Sequence, residues 1–238
     1  MRILLVYPKV LQLTFPPLGI LYIASYLRKY GHQVMVADVD SSNLDEVLCR
    51  FKEFNPQVVG ISIVSVIQIK FAELVIKKLK IVFPEAFFIC VGTVATVFPR
   101  RMLNDFGIDI VVKGEGEETA REILEALDAS KDLSSIKGIV YKNKSEITEN
   151  GHREVVAHLD DIPPPARDLI DFRRYLRPPG VMRGVWFDRS TSMLSSRGCP
   201  AQCIYCGSHL IFGRKLRRRS VDNVILEMKS LIDEYKLD

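Results

Sequence analysis

Residues 2–39 read RILLVYPKVLQLTFPPLGILYIASYLRKYGHQVMVADV and contain one strand–helix–strand unit. Residues 2–7 are a continuous apolar run of strand length, which is typical of a strand buried on both faces. A loop with two prolines and a glycine leads into a helical stretch that Gly31 ends, and residues 34–39 form the next strand. A helix that crosses between two strands in this way predicts a parallel sheet.

The same alternation continues to about residue 127. Further strands are predicted at 58–64, 87–91 and 108–112, and further helices at 44–54, 69–83 and 118–127. Five such units predict an α/β fold with a flavodoxin-like, doubly wound parallel sheet. In these sheets ligands bind outside the carboxyl ends of the strands. The candidate ligand surface is therefore formed by the loops that follow Pro8, Ser62, Gly92 and Lys113.

Several nucleotide-binding motifs are missing from these loops. The chain has no glycine-rich turn ending in Lys-Ser or Lys-Thr, so a P-loop is excluded. Residues 114–119 (GEGEET) only approximate the dinucleotide fingerprint, because they follow the fifth strand and lack the third glycine. The third strand ends without the aspartate of a phosphoacceptor domain. A plain turn before an acidic helix start, which the helix dipole favours, is the alternative interpretation of residues 114–117.

The pattern changes after residue 129. Residues 139–156 suggest a small antiparallel hairpin, residues 160–165 (DDIPPP) an extended linker, and residues 168–175 a short helix. We therefore predict three parts. They are a flavodoxin-like domain at 1–130, a hairpin and proline-rich linker at 131–185, and a second domain that starts at 186 and runs to 238.

Composition limits the class of protein. The 238 residues are 47% apolar and carry 33 basic against 29 acidic side chains, a net charge of +4. These values are typical of a globular protein and too weakly basic to indicate nucleic-acid binding. No apolar run reaches the roughly 18 residues of a membrane span, and the N-terminus reads as a strand rather than a signal peptide. We expect a cytoplasmic protein.

Five cysteines stand out because an odd number argues against a disulfide framework. Cys49 and Cys90 lie in apolar periodic segments and are predicted to be ordinary buried thiols. Cys199, Cys203 and Cys206 instead crowd into eight residues with the spacing C-x3-C-x2-C, after a strand predicted at residues 191–196. These three are the candidate metal ligands.

The spacing favours an iron–sulfur cluster. Structural zinc usually takes four ligands from two separated knuckles, and no second knuckle follows, although His209 could serve as a fourth ligand. A [4Fe–4S] cube held by three cysteines leaves one iron open, which suits catalysis. Zinc and unliganded thiols remain alternatives.

Cys199, Cys203 and Cys206, with Tyr205 just before the last of them, resemble the radical S-adenosylmethionine (SAM) signature C-x3-C-x-aromatic-C. The resemblance implies a [4Fe–4S] cluster whose open iron binds SAM. The reduced cluster would cleave SAM to methionine and a 5′-deoxyadenosyl radical. It also implies that Tyr205 shapes the adenosyl pocket.

The N-terminal part resembles the cobalamin-binding domain that is joined to many radical SAM enzymes. The resemblance rests on residues 15–19 (FPPLG) and 113–117 (KGEGE), and residues 160–168 resemble the linker between the two domains of that family. It implies strand-end loops that face a corrin ring and an enzyme of methyl transfer or ring-forming oxidation. The implied cofactor contacts are Leu18, Gly19, Ser62, Gly92, Thr93, Gly114, Glu115 and Gly116.

Two departures from this family pattern matter. The chain contains no Asp-x-His-x-x-Gly, and residues 92–95 read GTVA where relatives often have Gly-Gly-x-His, so no histidine is expected to ligate cobalt. Residues 221–235 form the first crossover helix after the cysteines, and the chain ends at Asp238, before a next strand. A radical SAM barrel has six such units. The sequence is therefore predicted to be truncated, which puts the activity of this polypeptide alone in question.

The basic run at residues 214–219 (RKLRRR) is predicted to be a solvated or substrate-facing loop, with nucleic-acid binding as the alternative. The leading hypothesis is a fragment of a cobalamin-type radical SAM enzyme. Its electron donor would be of flavodoxin or ferredoxin type, and its small-molecule, lipid, tetrapyrrole or peptide substrate stays open, as do its catalytic residues. The alternatives are a non-catalytic cobalamin-binding module with a vestigial cysteine loop and a zinc-stabilised nucleic-acid adaptor.

Overall fold

Seven strands form one sheet in the computed structural model, which describes residues 1–10, 15–143, 146–176 and 189–237. The strands are β1 (Arg2–Pro8), β2 (Gln33–Val39), β3 (Val58–Ser62), β4 (Phe87–Val91), β5 (Ile110–Val112), β6 (Ile139–Asn143) and β7 (Glu146–Glu149). Their order is β2-β1-β3-β4-β5-β6-β7, and β1 to β5 are parallel. The flavodoxin-like parallel sheet predicted from the alternation is confirmed.

Helices cover both faces of this sheet. They are α1 (Leu18–Lys29), α2 (Leu44–Lys52), α3 (Ile69–Val82), α4 (Thr93–Val97), α5 (Pro99–Asp105) and α6 (Glu117–Asp128). Alternate residues of β1 serve opposite cores: Leu4 and Val6 pack with α2 and α3, whereas Ile3 and Leu5 pack with α1 and α6. Burial on both faces explains why the strands read as unbroken apolar runs.

The structure corrects three details of the N-terminal half and the connector. The β6–β7 hairpin, which the sequence analysis assigns to the connector, pairs antiparallel with β5 and extends the sheet. The short helices α4 and α5 were not predicted, because segments of five and seven residues are too short to show a helical period. The helix predicted at residues 168–175 is wrong: two 3₁₀ turns, Arg167–Leu169 and Phe172–Tyr175, flank an extended Ile170.

The C-terminal segment adds a second, two-stranded sheet. β8 (Ser196–Arg197) pairs antiparallel with β9 (Arg217–Arg218), and α7 (Ser208–Phe212) lies between them. The strand predicted at residues 191–196 is thus reduced to its end. We call residues 196–218 the cysteine hairpin. The helix predicted at residues 221–235 is confirmed as α8 (Val221–Tyr235), with the Ser220 Oγ accepting a hydrogen bond from the Asn223 N–H.

Two predictions about segment limits stay open. The predicted boundary between residues 185 and 186 lies outside the described residues, as do residues 144 and 145 of the predicted hairpin turn. Across the described ranges, no helix combines the length and the apolar character that crossing a membrane requires.

Candidate functional site

The three clustered cysteines lie on the loop of the cysteine hairpin, and all three are exposed. The chain turns out of β8 at Gly198, whose φ of +89° is in the left-handed region that favours glycine. The Cys199 N–H then donates to the Gly213 carbonyl (3.3 Å), and the Cys206 N–H donates to the Cys203 carbonyl (3.2 Å). The loop is therefore closed on its own return segment.

Two side chains from the return segment hold this loop. Arg214 Nη1 donates to the Ala201 carbonyl at 2.9 Å, and His209 Nδ1 lies 3.0 Å from the Cys206 carbonyl oxygen. His209, the residue considered as a fourth zinc ligand, thus uses Nδ1 on the backbone of the loop. Tyr205 is 88% exposed, so its ring is free to contact a ligand beside the cysteines.

The donor set fits an iron–sulfur cluster. In the part of the chain that the structure describes, no three His, Cys, Asp or Glu side chains are gathered as metal ligands. Three accessible thiols on one loop are nevertheless the soft donors that such clusters take from proteins. Binding would draw the thiols together, which the exposed loop allows without disturbing a core.

The strand-end loops after β3 and β4 approach each other closely at Gly92. Its φ is +103°, and a Cβ there would lie 2.6 Å from the Ile63 carbonyl oxygen. The same oxygen accepts the Val94 N–H at 3.1 Å. Ser62, at the end of β3, is buried. Ser62 and Gly92 therefore lie where the ends of β3 and β4 pack closely together.

Gln68 is a site residue that the sequence analysis missed. Its side chain is buried; Nε2 donates to the Pro8 carbonyl at 2.6 Å, and Oε1 accepts the N–H groups of Val64 and Ser65. It ties the carboxyl ends of β1 and β3 together. The one signal in the sequence is its spacing from Ser65, with which it forms a capping box.

An apolar rim surrounds these loops. Its members are 41–62% exposed: Val10, Phe15, Val64, Val66, Ile67, Val97 and Phe98. Leu18 is half-buried against Tyr22, and Gly19 has open space around it. Exposed apolar side chains that follow the strand ends are candidates for a ligand-binding surface. The strand-end segments carry no histidine, so the rim fits a corrinoid held by apolar and backbone contacts alone.

The cysteine hairpin lies beside the same edge of the sheet. A Cβ on Gly207 would be 3.9 Å from Thr93 Cγ2, and a Cβ on Gly114 would be 3.6 Å from the Ile211 carbonyl oxygen. These approaches place α7 against the loops that follow β4 and β5. The two regions that the sequence analysis singled out separately are therefore neighbours in space.

Glu115, predicted as a cofactor contact, takes part in buried ion pairs. Its carboxylate accepts from Arg197 (3.1 Å), from Arg217 (2.9 and 3.0 Å) and from the Val156 N–H (2.8 Å). Glu117 pairs with the same Arg197 at 2.6 Å. Burial alone would lower the pKa of the Arg197 guanidinium, but Glu117 and Glu115 raise it above its ordinary value. The carboxylates of Glu115 and Glu117 are thus neutralised by buried arginines.

The two glycines of the same loop, Gly114 and Gly116, also make structural contacts. A Cβ on Gly116 would lie 2.7 Å from Ile23 Cδ1, so this glycine serves the packing of α1. Gly114 has a φ of +84°, and its N–H donates to Thr96 Oγ1 at 3.1 Å. Both glycines of the loop after β5 therefore have structural roles, one against α1 and one against α4.

The prediction of a solvated basic run is wrong for two of its members. The side chains of Arg217 and Arg219 are each 5% exposed and paired with buried glutamates, while Arg218 between them is exposed. Arg214 and Lys215 are exposed, although Arg214 also holds the cysteine loop. Half of the run is structural.

The thiols should separate into two classes. Cys90 is fully buried, and burial raises its pKa to about 12, whereas Cys49 is exposed on α2, contrary to the sequence prediction. We expect a thiol-specific disulfide reagent at pH 8 to modify Cys49 and the three clustered cysteines of the native apo protein, and Cys90 only after unfolding. A Cys90→Val variant should keep the same number of fast thiols. Fast modification of Cys90 would contradict this assignment.

Comparison with protein families places the first part of the chain. Residues 5–124 match the model of the B12 binding domain. An uncharacterized methyltransferase of Pyrococcus horikoshii is 34% identical over 99% of this chain and 51% of its own length. The cytidylyl-2-hydroxyethylphosphonate methyltransferase of Streptomyces wedmorensis is 30% identical over 93% of this chain and 49% of its own length. This chain thus spans about half the length of these curated relatives.

Solved structures share the fold across nearly the whole chain. The cobalamin-dependent SAM radical enzyme OxsB, with aqua-cobalamin and SAM bound, matches with a TM-score of 0.80 and 20% identity over 99% of this chain and 32% of its own. The radical SAM methyltransferase TsrM from Kitasatospora setae, with cobalamin and a [4Fe–4S] cluster, matches with a TM-score of 0.74 and 19% identity over 98% of this chain and 46% of its own.

Proposed function

Because this chain belongs to the family of radical SAM enzymes that carry a B12-binding domain, we propose that it works as part of a cobalamin-dependent SAM-cleaving enzyme. The reaction would be methyl transfer to an unreactive carbon or an oxidative cyclisation. One observation carries the proposal: the loop with Cys199, Cys203 and Cys206 lies beside the carboxyl edge of the parallel sheet, next to Thr93. A cluster on that loop and a ligand on that edge would be adjacent.

The cysteines would hold the cluster, which when bound supplies one electron to SAM. The chain itself contributes three thiolates and a loop held by Arg214 and His209. Tyr205 is exposed between two of the cysteines and is placed to pack on the adenosyl group. The electron donor would be a flavodoxin or a ferredoxin, and we expect no nucleic-acid partner.

The strand-end rim would hold the corrinoid, which when bound supplies a carrier for the methyl group. Val64, Val66 and Ile67 would cover one face of the ring. Gly92 lets the loop after β4 lie close to the backbone of Ile63. Leu18 and Gly19, at the start of α1, border the same opening. Since these segments contain no histidine, we propose binding without a protein ligand to cobalt.

Methyl transfer is the better supported of the two reactions. Both curated relatives described above are named methyltransferases, and one of the two solved structures is a methyltransferase as well. The substrate is a separate question, because each of these relatives is about twice as long as this chain. Small-molecule, lipid, tetrapyrrole and peptide substrates all remain compatible with the proposal.

The proposal is tested by anaerobic reconstitution with iron and sulfide, followed by iron counting and a visible spectrum. We expect about four irons per chain, and loss of this iron in a variant with Cys199, Cys203 and Cys206 replaced by alanine. A Cys49→Ala variant is the matched control and should keep the iron. Zinc without iron, or iron that survives the triple substitution, would overturn the radical SAM assignment.

Corrinoid binding is measured separately, by the absorbance of hydroxocobalamin retained after gel filtration. We expect retention by the wild-type chain and by the triple cysteine variant, because the rim does not include the cysteines. Replacing Val66 and Ile67 with glutamate should abolish retention, since the carboxylates would lose their hydration beneath the bound ring. Retention by the glutamate variant would place the corrinoid elsewhere.

A further inference from the structure

We infer that Glu115 and Glu117 are positioning residues that fix the cysteine hairpin on the edge of the parallel sheet, and thereby set where the three cysteines stand. The inference rests on the proposed function for the identity of the group the cysteines hold. We call the ion pairs of Glu115 and Glu117 with Arg197 and Arg217 the joint. These contacts lie within this chain.

The Glu115 carboxylate binds both strands of the cysteine hairpin. Arg197 of β8 and Arg217 of β9 are direct partners in the antiparallel register, and both donate to Glu115. Arg197 lies two residues before Cys199, with Gly198 between them. A shift of Glu115 would therefore move both ends of the loop that carries the cysteines.

The second carboxylate fixes the direction of Arg197. Glu117, in the first turn of α6, accepts from Nη2 while Glu115 accepts from Nη1, so the guanidinium is held by two neighbouring residues of the same loop. The guanidinium also lies over the rings of Tyr22 (5.0 Å) and Phe212 (5.7 Å). Planar groups held on several sides have little rotational freedom.

Burial makes these pairs strong. The side chains of Arg197, Arg217, Glu115 and Glu117 are only 4–6% exposed. Charge-assisted hydrogen bonds away from water are stronger than exposed ones, and removing one partner leaves an uncompensated charge. Exposed pairs of the same helix, such as Arg121 with Glu125, have no comparable effect on the hairpin.

The other end of the joint reaches the candidate ligand edge. The Gly114 N–H donates to Thr96 of α4, and α4 begins at Thr93, beside α7. The loop of residues 114–117 thus contacts the edge on one side and the hairpin on the other. This arrangement explains why two glutamates are buried at the end of a strand where a cofactor contact was expected.

The test is hydrogen–deuterium exchange on the full apo chain. In Glu117→Gln we expect the amides of residues 196–219 to exchange about tenfold faster, while those of β3 keep their wild-type rates. Glu118→Gln is the matched control, because Glu118 follows in the same helix but binds Tyr26 and Arg121. Unchanged rates at 196–219, or equal acceleration in the control, would overturn the inference.

A second variant covers the possibility that Glu117→Gln also loosens the sheet. Arg197→Lys keeps the charge but cannot reach both carboxylates at once, so the hairpin alone should exchange faster. If β3 accelerated as much as the hairpin in both variants, the contacts would be general structural support and the positioning role would be wrong.

The effect on the metal site is measured by visible circular dichroism of the reconstituted protein, which reports the surroundings of the cluster. We expect Glu117→Gln to retain iron but to change this spectrum, and Glu118→Gln to match the wild type. An unchanged spectrum with full iron would contradict the role. A wild-type chain without iron would refute the proposed function. The exchange rates would still show whether Glu115 and Glu117 hold the cysteine hairpin in place.

Discussion

Replacing Gly198 with alanine is expected to open the cysteine hairpin and to abolish most iron binding. Gly198 has a φ of +89°, and a Cβ there would lie 2.1 Å from the Lys215 carbonyl oxygen and 3.2 Å from that of Phe212. The left-handed conformation alone costs an alanine about 1–3 kcal/mol. The contact with Lys215 is to backbone, so the strand pairing must give way. Iron per chain after reconstitution is the measurement.

The control for this substitution is Gly207→Ala in the same segment. A Cβ on Gly207 would meet Thr93 and Leu210 at 3.9 and 4.0 Å, which are ordinary contacts, and its φ is −88°. We expect iron binding close to that of the wild type. Normal iron binding by Gly198→Ala would mean that the loop can hold the metal without the β8–β9 pairing.

Replacing Glu227 with alanine is expected to destabilise α8 by about 3–5 kcal/mol, the usual cost of breaking a buried ion pair. Glu227, with 2% of its side chain exposed, pairs with Arg167 at 2.6 Å and with Arg219, and both arginines are buried. Without Glu227 two cations would remain in the interior. The exchange rates of the α8 amides, which report the local opening free energy, are the measurement.

Asp233→Ala is the matched control, because Asp233 lies exposed on the same helix. Its effect should stay within about 0.5 kcal/mol. An equal loss in both variants would show that the helix responds to any removed carboxylate and that the buried pairs add nothing of their own.

Local sequence patterns predicted the elements better than their contacts. The apolar runs at residues 58–64 and 87–91 predicted β3 and β4, because a strand buried on both faces consists almost entirely of apolar residues. The amphipathic spacing likewise predicted α8 to the residue. The spacing of the cysteines identified the loop that lies beside the sheet.

The contacts that join the two parts could not be predicted in this way. Arg197 and Glu115 are 82 positions apart, and nothing in either segment indicates the other. Buried ion pairs resemble surface charges in a sequence, so residues 214–219 read as a solvated run. Cys49 was misassigned for a different reason: Leu44, Leu48 and Phe51 mark the buried face of α2, and Cys49 lies off that spacing.

The long separation of the joint's partners has a consequence for synthesis. The carboxylates of Glu115 and Glu117 precede their arginine partners by 80 to 102 positions. At ribosomal rates this interval lasts on the order of 5–20 s, longer than most domains of this size need to fold. The sheet and α6 can thus form before the cysteines emerge. The thiols of Cys199, Cys203 and Cys206 would then emerge beside a sheet that is already folded.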